Sequence, residues 1–392
     1  MTHPFADLLE RSAKPSRTVV GLMSGTSADS IDVAVCRMKG YGPEVELLRF
    51  SEHAHDLDVK RRVYAAADLD VRGIAELNVR VGEAFAHACL ATLKEASIPP
   101  WEVDLIGSHG QTVYHHSGVA GTRRATLQVG DGDVIAVKTG RYVISDFRAR
   151  DIAAGGEGAP LSPVADTILF ASREPGKWRR RAVLNLGGIA NLTVLDQNSA
   201  RVFGFDTGPA NAPLDRLARI LSGGEFACDQ DGRYARAGRV NEALLADLFK
   251  NDAFLARRPP KSTGFEVYGD AFVAHAAALH GGHDADLLAT LTEFVARTIA
   301  LGLLHCAGID PPVQEVVVAG GGVKNPALMQ RIAAALAPIP IRRSDELGVP
   351  SDAREAMAFA VLADMTLRGI AACLPPVTGA TAPKLLGKLS FP

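Results

Sequence analysis

Short runs of branched and aromatic residues alternate with glycine-bearing turns and with longer segments whose apolar positions recur at three- and four-residue spacing. Residues 17–23 form a β-rich run, Ser24-Gly25-Thr26-Ser27 carries turn chemistry, and residues 31–38 (IDVAVCRM) are apolar and β-rich again. That order predicts strand, turn, strand. Residues 182–186, Gly187-Gly188 and 192–195 repeat it. In a second echo, residues 103–107 run into a turn at His109-Gly110-Gln111, and residues 315–319 run into Gly320-Gly321-Gly322 and a helical 325–337 segment. Helical spacing also covers 74–96, 213–221, 241–254, 284–306 and 353–368. The self-similarity over about 165 residues predicts two related halves rather than a solenoid. Hairpins, parallel-type strands and intervening helices predict an α/β class. Residues 148–163 read as a long, irregular Gly-rich connection.

With 392 residues the chain outgrows a single core, because cores stop growing beyond about 250 to 300 residues. The expected boundaries are a loose tail at 1–16, domain I at 17–147 plus 375–392, and domain II at 148–374. The 42 Lys+Arg against 44 Asp+Glu leave a net charge of −2, which excludes the basic footprint of a general nucleic-acid binder. The one basic cluster, Lys177 with Arg179, Arg180 and Arg181, reads as a solvated loop. Cys36, Cys89, Cys228, Cys306 and Cys373 lie far apart with no CxxC or Cys/His ligand spacing, which predicts free thiols in a reducing compartment. Residues 287–306 are apolar but interrupted by Glu293 and Arg297, so they read as a buried helix and not a membrane span. Residues 1–17 lack the apolar run of a secretion signal. A cytoplasmic protein with neither membrane nor nucleic-acid partner is the expectation.

Five segments carry candidate chemistry. In residues 21–32 (GLMSGTSADSID) small residues let backbone N–H groups and hydroxyls approach a phosphate closely. The segment lacks GK[ST] and leads into a strand, so it is not a Walker A loop; a plain hairpin turn is the competing reading. In residues 203–215 (FGFDTGPANAPLD) a short strand delivers Asp206 at its end, where a carboxylate can act on a bound substrate. An Asx-type turn onto Thr207, Gly208 or Asn211 is the alternative. In residues 107–112 (GSHGQT) His109 and Gln111 lie in a Gly-flanked turn and can face a polyol or sugar, unless they are structural. Residues 146–163 bring Asp146, Arg148, Arg150 and Asp151 to the mouth of a Gly-rich loop; the Arg fork suits a carboxylate or phosphate, and an Asp/Arg ion-pair network between domains is the rival. Residues 319–326 (AGGGVKNP) suit close approach of a nucleotide base or ribose. Glu355 heads a helix of small residues (DAREAMAFA), either as a ligand contact or as a capping carboxylate. No HxxxH, CxxC or carboxylate cluster appears, so no metal held tightly by protein ligands is expected.

The segments GLMSGTS, IGSHGQT, LQVGDG, DFRARDIAAGGEGAPL, NLGGIAN, GFDTGP, AGGGVKNPALM and EAMAFA follow one another in the order found in the anhydro-N-acetylmuramic acid kinases of bacterial peptidoglycan recycling. From about residue 17 to 389 the chain resembles that family, part of the sugar kinase, actin and heat-shock chaperone superfamily. The resemblance implies a pair of ribonuclease-H-like (actin/hexokinase-type) domains closing around ATP, with the anhydrosugar in the cleft between them. By motif it implies that Gly25, Thr26, Ser27, Ala28, Asp29, Ser30, Ile31 and Asp32 form the phosphate loop, and that Gly187, Gly188, Gly320, Gly321 and Gly322 line the nucleotide. Asp206 would be the general base, and His109, Gln111, Arg148 and Glu355, with Asp206, would contact the sugar. A 1,6-anhydro sugar has no free 6-hydroxyl, so Asp206 would deprotonate a water that attacks the anomeric carbon while O6 captures the γ-phosphoryl of ATP. Mg²⁺ would neutralise charge on the phosphates.

The resemblance also suggests a homodimer, the commonest symmetric assembly. Two places depart from the family pattern: Ala28 and Ser30 stand for Leu and Gly in SGTSLDG, and Ala210 stands for Gly in DTGPGN. These matter where a position needs positive φ or where a ligand passes close to the backbone. A kinase of another amino sugar and a non-catalytic, nucleotide-gated sugar-binding protein are the competing functions, since the same clamp serves both.

Overall fold

A computed structural model describes all residues except 1–2, 26–27, 41–43, 117–122, 171–178, 199–200, 260 and 307. The chain divides into two compact units: unit 1 comprises Met1–Ala171, Gln197–Val202 and Ala353–Pro392, and unit 2 comprises Ser172–Asp196 and Phe203–Asp352.

Unit 1 is built on a seven-stranded sheet: β1 (Ser16–Ser24), β2 (Ser30–Lys39), β3 (Glu44–Ala54), β4 (Leu105–His116), β5 (Ala125–Val129), β6 (Val143–Ser145) and β12 (Lys388–Ser390). Unit 2 has a five-stranded sheet: β7 (Arg181–Leu186), β8 (Ile189–Val194), β9 (Phe203–Pro209), β10 (Glu315–Ala319) and β11 (Ile341–Arg343). The strand order β6-β4-β1-β2-β3 in unit 1 has its counterpart in β11-β10-β7-β8-β9 in unit 2. In each, the first three strands form an antiparallel meander and the last two run parallel to the first. This is the ribonuclease-H-like arrangement, present twice; the repeat read from the sequence corresponds to three of its five strand pairs, β1, β2 and β4 against β7, β8 and β10.

The division differs from the sequence reading, which placed 148–170 and 353–374 with the second half. Two buried ion pairs account for the difference. The helix Arg354–Leu367 carries Arg354, bonded at 3.0 Å to Asp166 on the helix Ser162–Leu169, and Asp364, bonded at 2.5 Å to Arg17 on β1. All four side chains are almost completely buried, where an uncompensated charge would be strongly unfavourable. The small residues of this helix lie against β1 and β4 so closely that a Cβ on Gly21 would come within 1.8 Å of the Ala356 carbonyl oxygen, and one on Gly107 within 2.4 Å of that of Phe359.

Other expectations also change. The first residues are not a loose tail: the helix Pro4–Ala13 is held by Arg11 on Val103 O and Asp104 and by Tyr142 Oη donating to Pro4 O. The stretch read as irregular contains the helix Phe147–Ala153. Of the basic cluster, Lys177 lies outside the described residues. Arg180 is buried in an ion pair with Asp196, and Arg181 pairs with Glu315 across β7 and β10. The helix Ala285–Leu304 is long and apolar enough to cross a membrane, yet it is buried along most of its length in the unit 2 core. All five cysteines are free.

Candidate active site

In unit 1 the β1–β2 hairpin presents residues 25–29. A Cβ on Gly25 would meet nothing within 4 Å. Thr26 and Ser27 lie outside the described residues. Ala28 is buried at a positive φ of 45°, with its N–H donating to Gly25 O at 3.0 Å, so among the described residues of this turn Ala28 is the left-handed one; Ser30 lies in β2 and its φ is not positive. Asp29 is paired with Lys60. Ser30 Oγ donates to Asp32 Oδ1 at 2.8 Å, and Ile31 is buried. Sequence reasoning missed the support beneath the turn: Ser24 Oγ donates to Ser30 O at 2.8 Å and lies 2.9 Å from His55 Nε2. His55 and Lys60 reach the hairpin from the segment after β3, and no local pattern announces them.

His109 and Gln111 are not in a turn. β4 runs straight through them, with Gly110 at φ 74° and a register shift opposite Leu22–Ser24. Gln111 is fully buried; its Nε2 donates to Gly25 O at 3.0 Å and to Thr112 O at 3.3 Å, so it tethers the hairpin, while its buried Oε1 has no partner among the described residues. His109 is 4% exposed, with Nδ1 2.9 Å from Gly110 O and Nε2 accepting from Arg148 Nε at 2.9 Å. These partners assign the proton to Nδ1. Burial, and then the Arg148 charge, holds its pKa well below the ordinary histidine value, so it stays neutral and orients Arg148 rather than exchanging protons. Arg148 Nη1 also donates to Gly158 O at 2.9 Å. Glu355, exposed in the first turn of its helix, supports the Arg148 charge against burial, with Asp151 contributing less. The Asp/Arg network does not form from the other members. Asp151 accepts from Gly158 N–H, Cys373 and Thr378, and Asp146 pairs with Lys388.

In unit 2 Asp206 sits in the middle of β9, not at its end, because β8–β9 pairing continues to Ile189–Pro209 across a bulge at Ala190–Asn191. Its N–H donates to Lys261 O at 3.0 Å, and its Oδ2 accepts from Thr263 N–H at 2.9 Å. The Asx turn onto Thr207, Gly208 or Asn211 is therefore not what holds it. Burial raises its pKa to about 6; the Thr263 hydrogen bond opposes this, Glu266 adds to it, and Lys261 opposes it. A carboxylate that titrates near neutrality is a competent general base.

The helix Asn211–Leu221 begins at once after Ala210. Ala210 is buried, with φ −131° and ψ −107°. The N–H groups of Ala210 and Ala212 donate to Gly188 O, and that of Asn211 donates to Gly187 O. Asn211 Nδ2 donates to Leu186 O at 3.0 Å. Gly320 has φ 88°, and a Cβ there would lie 2.8 Å from Leu186 O; one on Gly322 would lie 2.6 Å from Leu186 Cβ, whereas Gly321 has only Asn211 Nδ2 at 3.9 Å. Gly321 is thus the member of the triplet with open space before it.

The family model described as anhydro-N-acetylmuramic acid kinase matches residues 17–392. The anhydro-N-acetylmuramic acid kinase of Caldanaerobacter subterraneus subsp. tengcongensis is 40% identical over 398 residues, covering 98% of this chain and 99% of that protein. That of Salinibacter ruber is 39% identical over 399 residues, covering 98% and 99%. That of Streptomyces avermitilis is 41% identical over 378 residues, covering 95% and 94%.

Proposed function

We infer, from the fact that the chain belongs to the anhydro-N-acetylmuramic acid kinase family, that it is the ATP-dependent kinase of 1,6-anhydro-N-acetylmuramic acid in peptidoglycan recycling. The products are N-acetylmuramic acid 6-phosphate and ADP. The observation that carries the chemistry is Asp206, a carboxylate held by one oxygen and titrating near pH 6. It takes a proton from water as the water oxygen bonds to C1. The C1–O6 bond breaks, and O6 takes the γ-phosphoryl of ATP as ADP leaves. Hydrolysis and phosphorylation are one balanced event that needs no other reactant.

On this reading Arg148, oriented by His109 and supported by Glu355, binds the acidic sugar. The Gly25 turn and Gly320–Gly322 are the proposed nucleotide-binding turns, a reading supported by the open space before Gly25 and Gly321. Gln111 serves the sugar only indirectly, through the hairpin it tethers. Mg²⁺ bound with ATP would neutralise phosphate charge. The Ser30–Asp32 oxygens are hard donors that fit such an ion, while the engagement of Asp29 by Lys60 suits an ion that arrives on the nucleotide. Five free thiols suit the cytoplasm, where the ATP is. A homodimer is the proposed assembly, checked by light scattering of the eluting protein.

The direct test is ADP release with Mg-ATP and the anhydro sugar, compared with N-acetylmuramic acid and N-acetylglucosamine. The reading predicts rapid release with the anhydro sugar alone. Release with an ordinary hydroxylated sugar and none with the anhydro sugar would overturn it.

A further inference from the structure

We infer that the 261–266 segment is a strap that orients the carboxylate of Asp206, with Thr263 as the positioning residue; this rests on the reading of Asp206 as the general base. β9 is the edge strand of its sheet, so one side of its backbone has no neighbouring strand. The strap takes that place. It accepts the Asp206 N–H on Lys261 O and returns the Thr263 N–H to Asp206 Oδ2 at 2.9 Å. Main chain and side chain of the base are thus gripped two residues apart. Among the described residues Oδ1 has no hydrogen-bond partner, so the grip leaves one oxygen to receive a proton.

Both ends of the strap are fixed independently of Asp206. Lys261 is 5% exposed, with its Nζ 4.4 Å from the Phe254 ring centroid and 3.4 Å from Phe254 O. Beyond Gly264, Tyr268 Oη donates to Asp252 Oδ2 at 2.7 Å. Among the described residues the buried Thr263 hydroxyl has no partner, a state that native structures rarely leave a polar group in without a use. It lies on the residue whose amide holds the base, and it is available to a water or a sugar hydroxyl brought there. The charged groups facing Asp206 are Lys261 and Glu266, of opposite sign and both carried by the strap, while its partner across β8 is the neutral Asn191. Removing the Thr263 amide or the Glu266 charge should therefore move the titration of the base in opposite directions.

The test measures pH profiles of kcat/KM, with kcat and both KM values, for Thr263→Pro, Thr263→Ser, Glu266→Gln and Asp206→Asn. Thr263→Pro is expected to lower kcat about tenfold with the KM for ATP unchanged and to move the acidic limb up by about one pH unit. Thr263→Ser should recover turnover relative to Thr263→Pro. Glu266→Gln, on an exposed side chain that leaves the fold intact, should move the limb down. A limb unmoved by Glu266→Gln, or moved in the same direction by both variants, with Asp206→Asn silent, overturns the strap while the base stands. An Asp206→Asn variant that keeps its turnover overturns the base itself.

Discussion

The β1–β2 and β7–β8 hairpins occupy the same place in two copies of one topology, and both turn on glycine, yet they are built for different ends. The first spans residues 25–29, stands open around Gly25, carries Asp29 and is tied down by Gln111 from below. The second is only Gly187-Gly188; its carbonyls accept the first amides of the helix Asn211–Leu221, and a Cβ on Gly188 would lie 2.8 Å from the Phe265 ring. Glycine in the first leaves open space, where the proposed nucleotide would lie. In the second it lets protein backbone and an aromatic ring pack against the turn that leads to β9 and Asp206. A repeated motif is therefore a guide to topology, and its function has to be read from what fills the space around each copy.

The comparison is tested most severely at Asp206, the group that the second hairpin helps to present. Asp206→Asn should lower turnover by about 10² to 10⁴, with nucleotide affinity by calorimetry unchanged. The same substitution should stabilise the protein. The folded pKa of about 6 lies above the ordinary 3.8, so the stability contributed by the protonated group is present below pH 3.8 and is lost as pH rises through 6. At pH 8 the Asn variant is expected to gain up to about 3 kcal/mol, since each pH unit separating the folded and unfolded titrations is worth about 1.4 kcal/mol. A higher melting temperature at pH 8 that converges with wild type below pH 4 would show this; equal curves throughout would refute the burial of the charge.

A smaller effect separates the two turns themselves. Gly188→Ala must displace the Phe265 ring, at a cost of about 1 to 3 kcal/mol, whereas Gly25→Ala meets nothing. Melting should fall for the first and not for the second, and the KM for ATP should rise for the second. Equal losses of stability would erase the distinction. The smallest effect is that of Gln111→Leu, which removes the tether to Gly25 O for about 1 kcal/mol and should raise the KM for ATP several-fold with kcat preserved.

The order of elements was legible because β-rich runs punctuated by glycine mark strand ends, and Asp206, the proposed base, was singled out by its motif. The contents of β4 were not. Gly107 and Gly110 look like turn residues, but Gly107 exists because the backbone of the helix Arg354–Leu367 presses on it, and Gly110 because the strand bulges there at φ 74°. His55, Lys60 and the strap were hidden for another reason. They act on residues 31 to 57 positions away, and nothing in their own neighbourhoods records that contact. The domain boundary failed in the same way, since Arg17 and Asp364 meet 347 residues apart.

The central claim is that Asp206 activates water at the anomeric carbon while O6 is phosphorylated. The most direct measurement is turnover of the anhydro sugar with Mg-ATP in ¹⁸O-labelled water, followed by mass spectrometry of the product. The account predicts a 6-phosphorylated sugar with one solvent-derived oxygen at C1 and none in the phosphate. Label in the phosphate, or a phosphorylated product that keeps its anhydro ring, would contradict it.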